Sequence, residues 1–376
     1  MKPILPGAML GLLGGGQLGR MFTMTAHQMG YQVTVLDPDA DSPAGRIADQ
    51  FICADYADQS ALQQIGEQCA AVTTEFENIP ADVLSTLASL SRVSPGARSV
   101  AIAQNRIAEK HFLKTHGFPV APFAVIEQVD GEDDIKHLFP GILKVSQFGY
   151  DGKGQRPVND EAELQAAFIE MRSVPCILEK KLPLKSEISV VLARGYDGAT
   201  VSFPVVENQH VGGILDISIA PARISNRVAE QASAAAKNLV QILEYQGVLC
   251  VEFFVLEGDQ LVINEIAPRP HNSGHYTIDA CITSQFEQQL RALCGLPLGN
   301  AALHHPAVMV NLLGDLWQKS EPDWTQVLEE PLAKLHLYGK KEARPGRKMG
   351  HFSVLGATVD EALASANQIR QHLESN

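Results

Sequence analysis

The chain predicts a multidomain fold of mixed α/β and α+β class: a parallel sheet first, antiparallel sheets in the middle, and a small β-rich region last. Three observations carry this. Met9-Leu-Gly-Leu-Leu13 is a short apolar strand that runs into a glycine turn, a helical stretch ending near Gly30 and a second strand, Tyr31-Gln-Val-Thr-Val-Leu36. That βαβ order implies parallel pairing with a ligand at the carboxyl ends of the strands. Two apolar strands, 248–256 and 261–266, flank Glu257-Gly-Asp-Gln260. Its central Gly258-Asp259 is a favoured two-residue hairpin turn and implies antiparallel pairing. Near the carboxyl end, strands at 307–313, 334–338 and 351–355 flank a basic loop, and Thr358-Val-Asp-Glu361 is a capping box opening the terminal helix.

Between these landmarks, 71–74 is a further strand and 100–116 a helix stopped by Gly117 and Pro119. Strands follow near 142–145, 176–179 and 187–192, then an Ala-rich helix over about 228–245. The expected division is a Rossmann-like domain over 1–105, a central domain over 106–299 with a glycine-rich loop at 149–155, and a carboxyl-terminal domain over 300–376.

Composition narrows the function. A length of 376 residues, 45% hydrophobic and 19% charged, suits an ordinary globular protein of two or three domains. The formal charge of −13 argues against coating nucleic acid. Six scattered cysteines lack metal-site spacing and fit reduced, buried thiols in a cytoplasmic protein. No apolar run reaches membrane-spanning length, and no signal peptide is legible.

The chemistry concentrates in an acidic pair. Folding the hairpin about Gly258-Asp259 sets Glu252 opposite Glu265, with Cβ atoms about 5 Å apart, an arrangement in which like charges repel. Such a pair persists when a cation lies between them, and oxygen donors suit Mg²⁺, or Mn²⁺, with a bound phosphate. The plainer alternative is relief by a lysine or by one raised pKa. Upstream, Lys144 sits in an apolar strand, and Gly149-Tyr-Asp-Gly-Lys-Gly154 is a flexible loop able to fold over a polyphosphate; a surface hairpin with a snorkelling lysine is the alternative. Gly14, Gly16 and Gly19, with Asp37 downstream, match a glycine-rich dinucleotide turn. NAD, another phosphate ligand, or close packing alone would each explain that turn. Glu179 to Leu182 ends a strand where backbone groups could meet an adenine edge, and Glu187 could take ribose hydroxyls. Arg269, His271 and Asn272 concentrate donors just past Glu265, where charge would develop in phosphoryl transfer. The run 340–348 holds five cations without an aromatic residue, which favours a compact phosphate site over single-stranded nucleic acid, with a solvated loop as the plainer alternative.

These residues together resemble the ATP-grasp superfamily, and within it the purine-biosynthetic ligases that carboxylate aminoimidazole ribonucleotide. The likeness rests on Gly14-Gly-Gly-Gln-Leu-Gly-Arg20, Gly149-Tyr-Asp-Gly-Lys-Gly-Gln155, Asn264-Glu-Ile-Ala-Pro-Arg269, His271-Asn-Ser-Gly-His275 and Arg344-Pro-Gly-Arg-Lys-Met-Gly-His351. It implies an ATP-grasp fold in the central domain and a ligase joining bicarbonate to the exocyclic amine with ATP, through carboxyphosphate. It further implies that Arg106, Lys144, the loop from Gly149 through Tyr150, Asp151, Gly152, Lys153 and Gly154 to Gln155, Glu179, Lys180, Lys181, Leu182, Glu187, His210, Asn264 and Glu265 hold ATP. Glu252 and Glu265 would bind magnesium. Many ATP-grasp relatives carry an Asn two residues past the second glutamate, where this chain has Ala267, so waters and phosphate oxygens must complete the coordination. Arg269, Tyr150, Asp151, Lys153 and Lys348 are the expected catalytic groups. Gly16, Gln17, Leu18, Glu75, His271, Asn272, Lys340, Arg347 and Lys348 are expected around the ribonucleotide, and relatives suggest a homodimer. The rival readings are another ATP-grasp ligase, formate-dependent or of biotin carboxylase type, an NAD-dependent oxidoreductase, and a catalytically dead nucleotide-binding regulator.

Overall fold

A computed structural model describes residues 2–128, 135–147, 149 and 154–375. Five parallel strands open the chain: β1 (Met9–Leu13), β2 (Gln32–Leu36), β3 (Gln50–Ile52), β4 (Ala71–Thr74) and β5 (Arg92–Val93), in the order β3-β2-β1-β4-β5. Leu10, Leu12 and Leu13 are all fully buried, the continuous burial expected of a parallel strand covered on both faces.

Two antiparallel sheets follow. The smaller contains β6 (Phe123–Ile126), β7 (Gly141–Val145), β8 (Gln155–Val158) and β9 (Cys176–Lys180), in the order β6-β9-β7-β8. The larger is built from β10 (Leu184–Arg194), β11 (Thr200–Ser202), β12 (Val206–Val211), β13 (Ile214–Ala220), β14 (Gly247–Leu256), β15 (Leu261–Ala267), β16 (Ala307–Leu313), β17 (Ala333–Leu337) and β18 (Lys348–Leu355). The helix Asn226–Ile242, capped by the Ser225 hydroxyl, buries Val228, Ala232, Ala236, Leu239 and Val240, one helical stripe, against Leu249 and Val251 of β14.

Three expectations need correction. The helix expected over 100–116 is two helices, Ala97–Gln104 and Arg106–Thr115, because Asn105 is extended and its Oδ1 accepts from the N–H groups of Ile107 and Ala108, starting a new helix. The carboxyl-terminal strands join the larger central sheet: β16 pairs with β13, and β18 and β17 follow it. Strand β18 also begins at Lys348, three residues earlier than expected, which places that lysine on the sheet.

The hairpin turn differs as well. Gly258 and Asp259 do adopt φ of +70° and +58°, but the turn includes Glu257, so the first pairs are Val255↔Leu261, Phe254↔Val262 and Phe253↔Ile263. Continued unchanged, that register would set Glu252 against Asn264. A bulge at Asn264 adds one residue to β15 and brings Glu252 opposite Glu265. The expected pairing is reached by a different route.

Candidate active site

The opposed glutamates are held by cations from outside their strands. Arg106 Nη1 donates to Glu265 Oε2 at 2.8 Å, and His271 Nε2 lies 2.9 Å from Glu252 Oε1. The plainer reading of the pair, relief by a positive side chain, is therefore the geometry observed, with Arg and His in the role expected of Lys. Burial pushes the Glu265 carboxyl up, but Arg106, Lys144 and His271 overcome it and hold it down to about 2. Burial likewise opposes charge on His271, while Cys250 and Glu252 push it up to about 10. Glu265 keeps 36% of its side chain exposed, so the pair stays reachable from solvent. Beside it the buried Asn264 Oδ1 has no hydrogen-bond partner among the described residues. The two opposed carboxylates form an all-oxygen pair, which fits Mg²⁺.

A buried polar chain fixes Glu252 from behind. Ser218 Oγ donates to Asn208 Oδ1, Asn208 Nδ2 donates to Ser189 Oγ, and Ser189 Oγ meets Ser273 Oγ at 2.7 Å. Ser273 Oγ then lies 2.8 Å from His271 Nδ1, whose far nitrogen holds Glu252. Ser189 is the β10 residue in register with Glu252, so the chain crosses the sheet at the level of the acidic pair. Neither Ser189 nor Ser218 was expected from sequence, a single polar residue in an apolar strand being the only trace of each, while Ser273 lies inside the His271–His275 motif.

A second cluster of charged groups, expected around the nucleotide, centres on Glu179. Lys144 Nζ donates to Glu179 Oε2 at 2.9 Å. Lys110, unforeseen, lies 3.4 Å from Glu179 Oε1 and donates to the carbonyl of Asn264 at 2.6 Å. Glu179 is thus buried between two lysines and kept well below the usual carboxylate range, the lysines overcoming burial. In this structure its oxygens face the two lysines. The N–H groups of Lys180 and Lys181 donate to the carbonyls of Pro122 and Pro140. Glu187 Oε2 is 3.0 Å from His210 Nδ1; burial opposes charge on that ring and Glu187 raises its pKa. Arg106 Nη2 reaches the Gly149 carbonyl at 3.5 Å, and Gln155 pairs with Lys144 in the β7–β8 register beyond Gly154. Tyr150, Asp151, Gly152 and Lys153 lie outside the described residues.

The first glycine turn is filled from within. Glu75 Oε1 accepts from Gly16 N–H at 2.5 Å and Glu75 Oε2 from Gly19 N–H at 2.7 Å, while Asp37 accepts from Gly15 N–H at 2.6 Å and from Tyr56. The anion at this helix start is an internal carboxylate, and the presumed ribose acid closes the turn itself. The NAD reading loses both of its contacts. Burial raises the Glu75 pKa, the two N–H groups oppose it, and Asp37 adds to it. Leu18 packs its side chain against the core beneath the turn. Lys340 Nζ donates to Gln17 Oε1 at 2.7 Å and to the Lys348 carbonyl at 2.5 Å, so the basic loop docks on the glycine turn. Arg347 Nη1 donates to the Glu342 carbonyl at 2.9 Å.

Two donors expected beside the reacting groups are engaged elsewhere. Arg269 makes a two-pronged pair with Glu77, donating from Nε and, at 3.0 Å, from Nη2, and its Nη1 reaches the Pro270 carbonyl. Asn272 is buried and trades amide hydrogen bonds with Asn311 at 3.0 and 2.8 Å, which makes it a tie between segments.

Comparison with known proteins agrees over the full length. Family models match for the ribonucleotide synthetase preATP-grasp domain at residues 8–104, the ATP-grasp domain at 111–286 and the phosphoribosylaminoimidazole carboxylase C-terminal domain at 307–365. The N5-carboxyaminoimidazole ribonucleotide synthase of Bacillus subtilis is 44% identical over 360 residues, covering 95% of this chain and 94% of that one. Its namesake from Brucella melitensis is 45% identical over 352 residues, covering 92% and 96%. Among solved structures, an ADP complex of N5-carboxyaminoimidazole ribonucleotide synthetase superposes with a TM-score of 0.94 at 44% identity, covering all of both chains. The Aspergillus clavatus enzyme, solved with ADP and 5-aminoimidazole ribonucleotide, gives 0.90 at 32% identity over 98% and 99%. The chain belongs to the N5-carboxyaminoimidazole ribonucleotide synthase family of ATP-grasp ligases.

Proposed function

We propose that this chain uses ATP to carboxylate 5-aminoimidazole ribonucleotide with bicarbonate, releasing N5-carboxyaminoimidazole ribonucleotide, ADP and phosphate in purine biosynthesis. The observation that carries the reading is the opposed Glu252/Glu265 pair beside Lys144, in a chain that matches synthases of that name from end to end. A bicarbonate oxygen attacks the γ-phosphorus and ADP leaves, giving carboxyphosphate. The amine then takes the carboxyl carbon, phosphate leaves and one proton is lost from nitrogen.

In this proposal Glu252 and Glu265 hold Mg²⁺, which when bound neutralises phosphate charge and aligns it. Lys144, Arg106 and the Gly149–Gln155 loop bind the triphosphate, with Leu182 at the adenine and Glu187 and His210 at the ribose. Arg269, steadied by Glu77, faces the developing charge, and Tyr150, Asp151, Lys153 and Lys348 serve the carboxyl and amine groups. Gln17, Glu75, Lys340 and Arg347 take the ribonucleotide, whose phosphate lies by the basic loop. The same proposal makes the protein a cytoplasmic homodimer that binds neither membrane nor nucleic acid. Supporting it, five of the six free cysteines are buried, the net charge is −13, and no described helix is long and apolar enough to cross a membrane.

The deciding experiment is ADP release from ATP and bicarbonate. Stimulation by aminoimidazole ribonucleotide, with stoichiometric phosphate, is the expected result. Stimulation by formate or biotin instead would move the chain to another ATP-grasp activity, and silence with every acceptor would leave a nucleotide-binding regulator.

A further inference from the structure

Three side chains outside the ligase assignments meet where β17 and β18 face the short helix Thr277–Ala280. Asp279, His336 and His351 each offer one metal-ligating atom, all within 4.8 Å of one another. His336 and His351 are register partners whose rings stack with centroids 4.5 Å apart and planes 13° from parallel. His336 Nε2 lies 2.8 Å from Asp279 Oδ2. His351 is fully buried, with Nδ1 2.8 Å from the Tyr338 hydroxyl and Nε2 without a hydrogen-bond partner among the described residues. An orphaned polar atom in the interior costs about 1–3 kcal/mol, so its retention calls for a reason. Behind it His275, also fully buried, stacks on His351 at 4.9 Å, and its Nε2 is orphaned too.

We propose that Asp279, His336 and His351 bind a divalent transition-metal ion of the Zn²⁺ class. The donor set decides the class. Two imidazoles and one carboxylate suit Zn²⁺ and its neighbours, whereas the all-oxygen set at Glu252 and Glu265 suits magnesium. His351 donating from Nδ1–H to the Tyr338 oxygen would leave the Nε2 lone pair for a metal. Tetrahedral coordination needs ligand atoms about 3.3 Å apart and in-plane approach to each ring, so the stacked rings of His336 and His351 must turn as the ion binds. His336 keeps 24% of its side chain exposed and gives the ion an entry path. A bound ion would take the place of the hydrogen bond between His336 and Asp279.

Co²⁺ is the probe, because its ligand-field bands report a low-symmetry nitrogen and oxygen site while Mg²⁺ is silent. Chelator-stripped full-length protein in excess Mg²⁺ should bind one equivalent of Co²⁺ with tetrahedral-type bands that Zn²⁺ abolishes. His336→Ala and Asp279→Asn should each weaken binding roughly 100-fold or more with unchanged circular dichroism, since neither residue is in the core. Glu265→Gln should keep the bands. Bands that survive His336→Ala, bands lost in Glu265→Gln, or no Co²⁺ binding by the parent chain would each overturn the assignment and leave the cluster a hydrogen-bonded packing unit.

Discussion

Lys110→Met tests whether the unforeseen lysine underpins the site. The substitution keeps the aliphatic stem and removes only the ammonium, which is fully buried against Glu179 Oε1, the Asn264 carbonyl and, at 3.5 Å, the Ile263 carbonyl. Breaking one partner of a buried ion pair costs about 3–5 kcal/mol. Here Lys144 still pairs with Glu179 at 2.9 Å, and burial has already lowered the Lys110 pKa, so the lower end, about 3 kcal/mol, is expected. For a domain of this size each kcal/mol moves the melting temperature by about 2–4 °C, giving a fall of roughly 6–12 °C at pH 7. A double-mutant cycle with Glu179→Gln should recover about 1–2 kcal/mol, because removing the anion removes the reason for the cation. Nucleotide affinity should fall far more in Lys144→Met, since Lys144 retains 9% exposure and Lys110 none. A Lys110→Met chain that melts with its parent, or strictly additive effects in the cycle, would refute the argument.

Three further outcomes follow from the same geometry. Glu265→Gln should abolish ADP release while leaving the circular dichroism spectrum unchanged; turnover at the parental rate would remove the acidic pair from the mechanism. Glu109 is buried, and burial raises its carboxyl to about 8 although Lys110 and the Ile266 N–H oppose this, so the folded state holds a proton that the unfolded state releases above about 4.5. Stability should therefore fall as pH rises from about 5 to 8, and Glu109→Gln should flatten that slope in chemical denaturation, an equal slope being the contrary result. Gly16→Ala should destabilise by about 1–3 kcal/mol in thermal melts, because its Cβ would overlap the Glu75 carboxylate that two N–H groups hold in place; an unshifted melt would mean that Glu75 moves freely.

What the sequence exposes and what it hides divide along physical lines. Glu252 and Glu265 stand out because a charge on an apolar strand is anomalous wherever the strand goes. Their pairing emerges correctly from a two-residue turn that does not exist, since the bulge at Asn264 offsets the extra turn residue. A bulge leaves little trace in one sequence. Glu109 and Lys110 escape notice for the opposite reason: charges on an amphipathic helix read as its solvated face, and only the packing of Arg106–Thr115 against β15 buries them. The glycine turn misleads because Glu75, which occupies it, lies 59 residues from Gly16. The tie of Arg269 to Glu77 spans 192 residues and is equally invisible.

Those hidden ties share a logic. Arg106 is matched by Glu265, Arg269 by Glu77, Lys144 by Glu179, and the Gly16 and Gly19 N–H groups by Glu75. Each group suited to an incoming anion is held in place by an internal carboxylate. Anion binding at such a group is an exchange, and its free energy is the difference between two charge-assisted contacts. Preorganisation is gained, and part of the Coulomb attraction is given up. Exposure then ranks which ties can exchange. Glu265 and Glu77 keep 36% and 26% of their side chains in contact with solvent, so a phosphate can compete for their arginine partners and a metal ion for the carboxylates. Glu179 keeps 4%, between lysines at 0% and 9%, so its ties hold, and Lys144 meets a phosphate with the N–H donors that Glu179 does not use. The same acid–base pairing thus makes a fixed foundation where it is buried and an exchangeable contact where water reaches it.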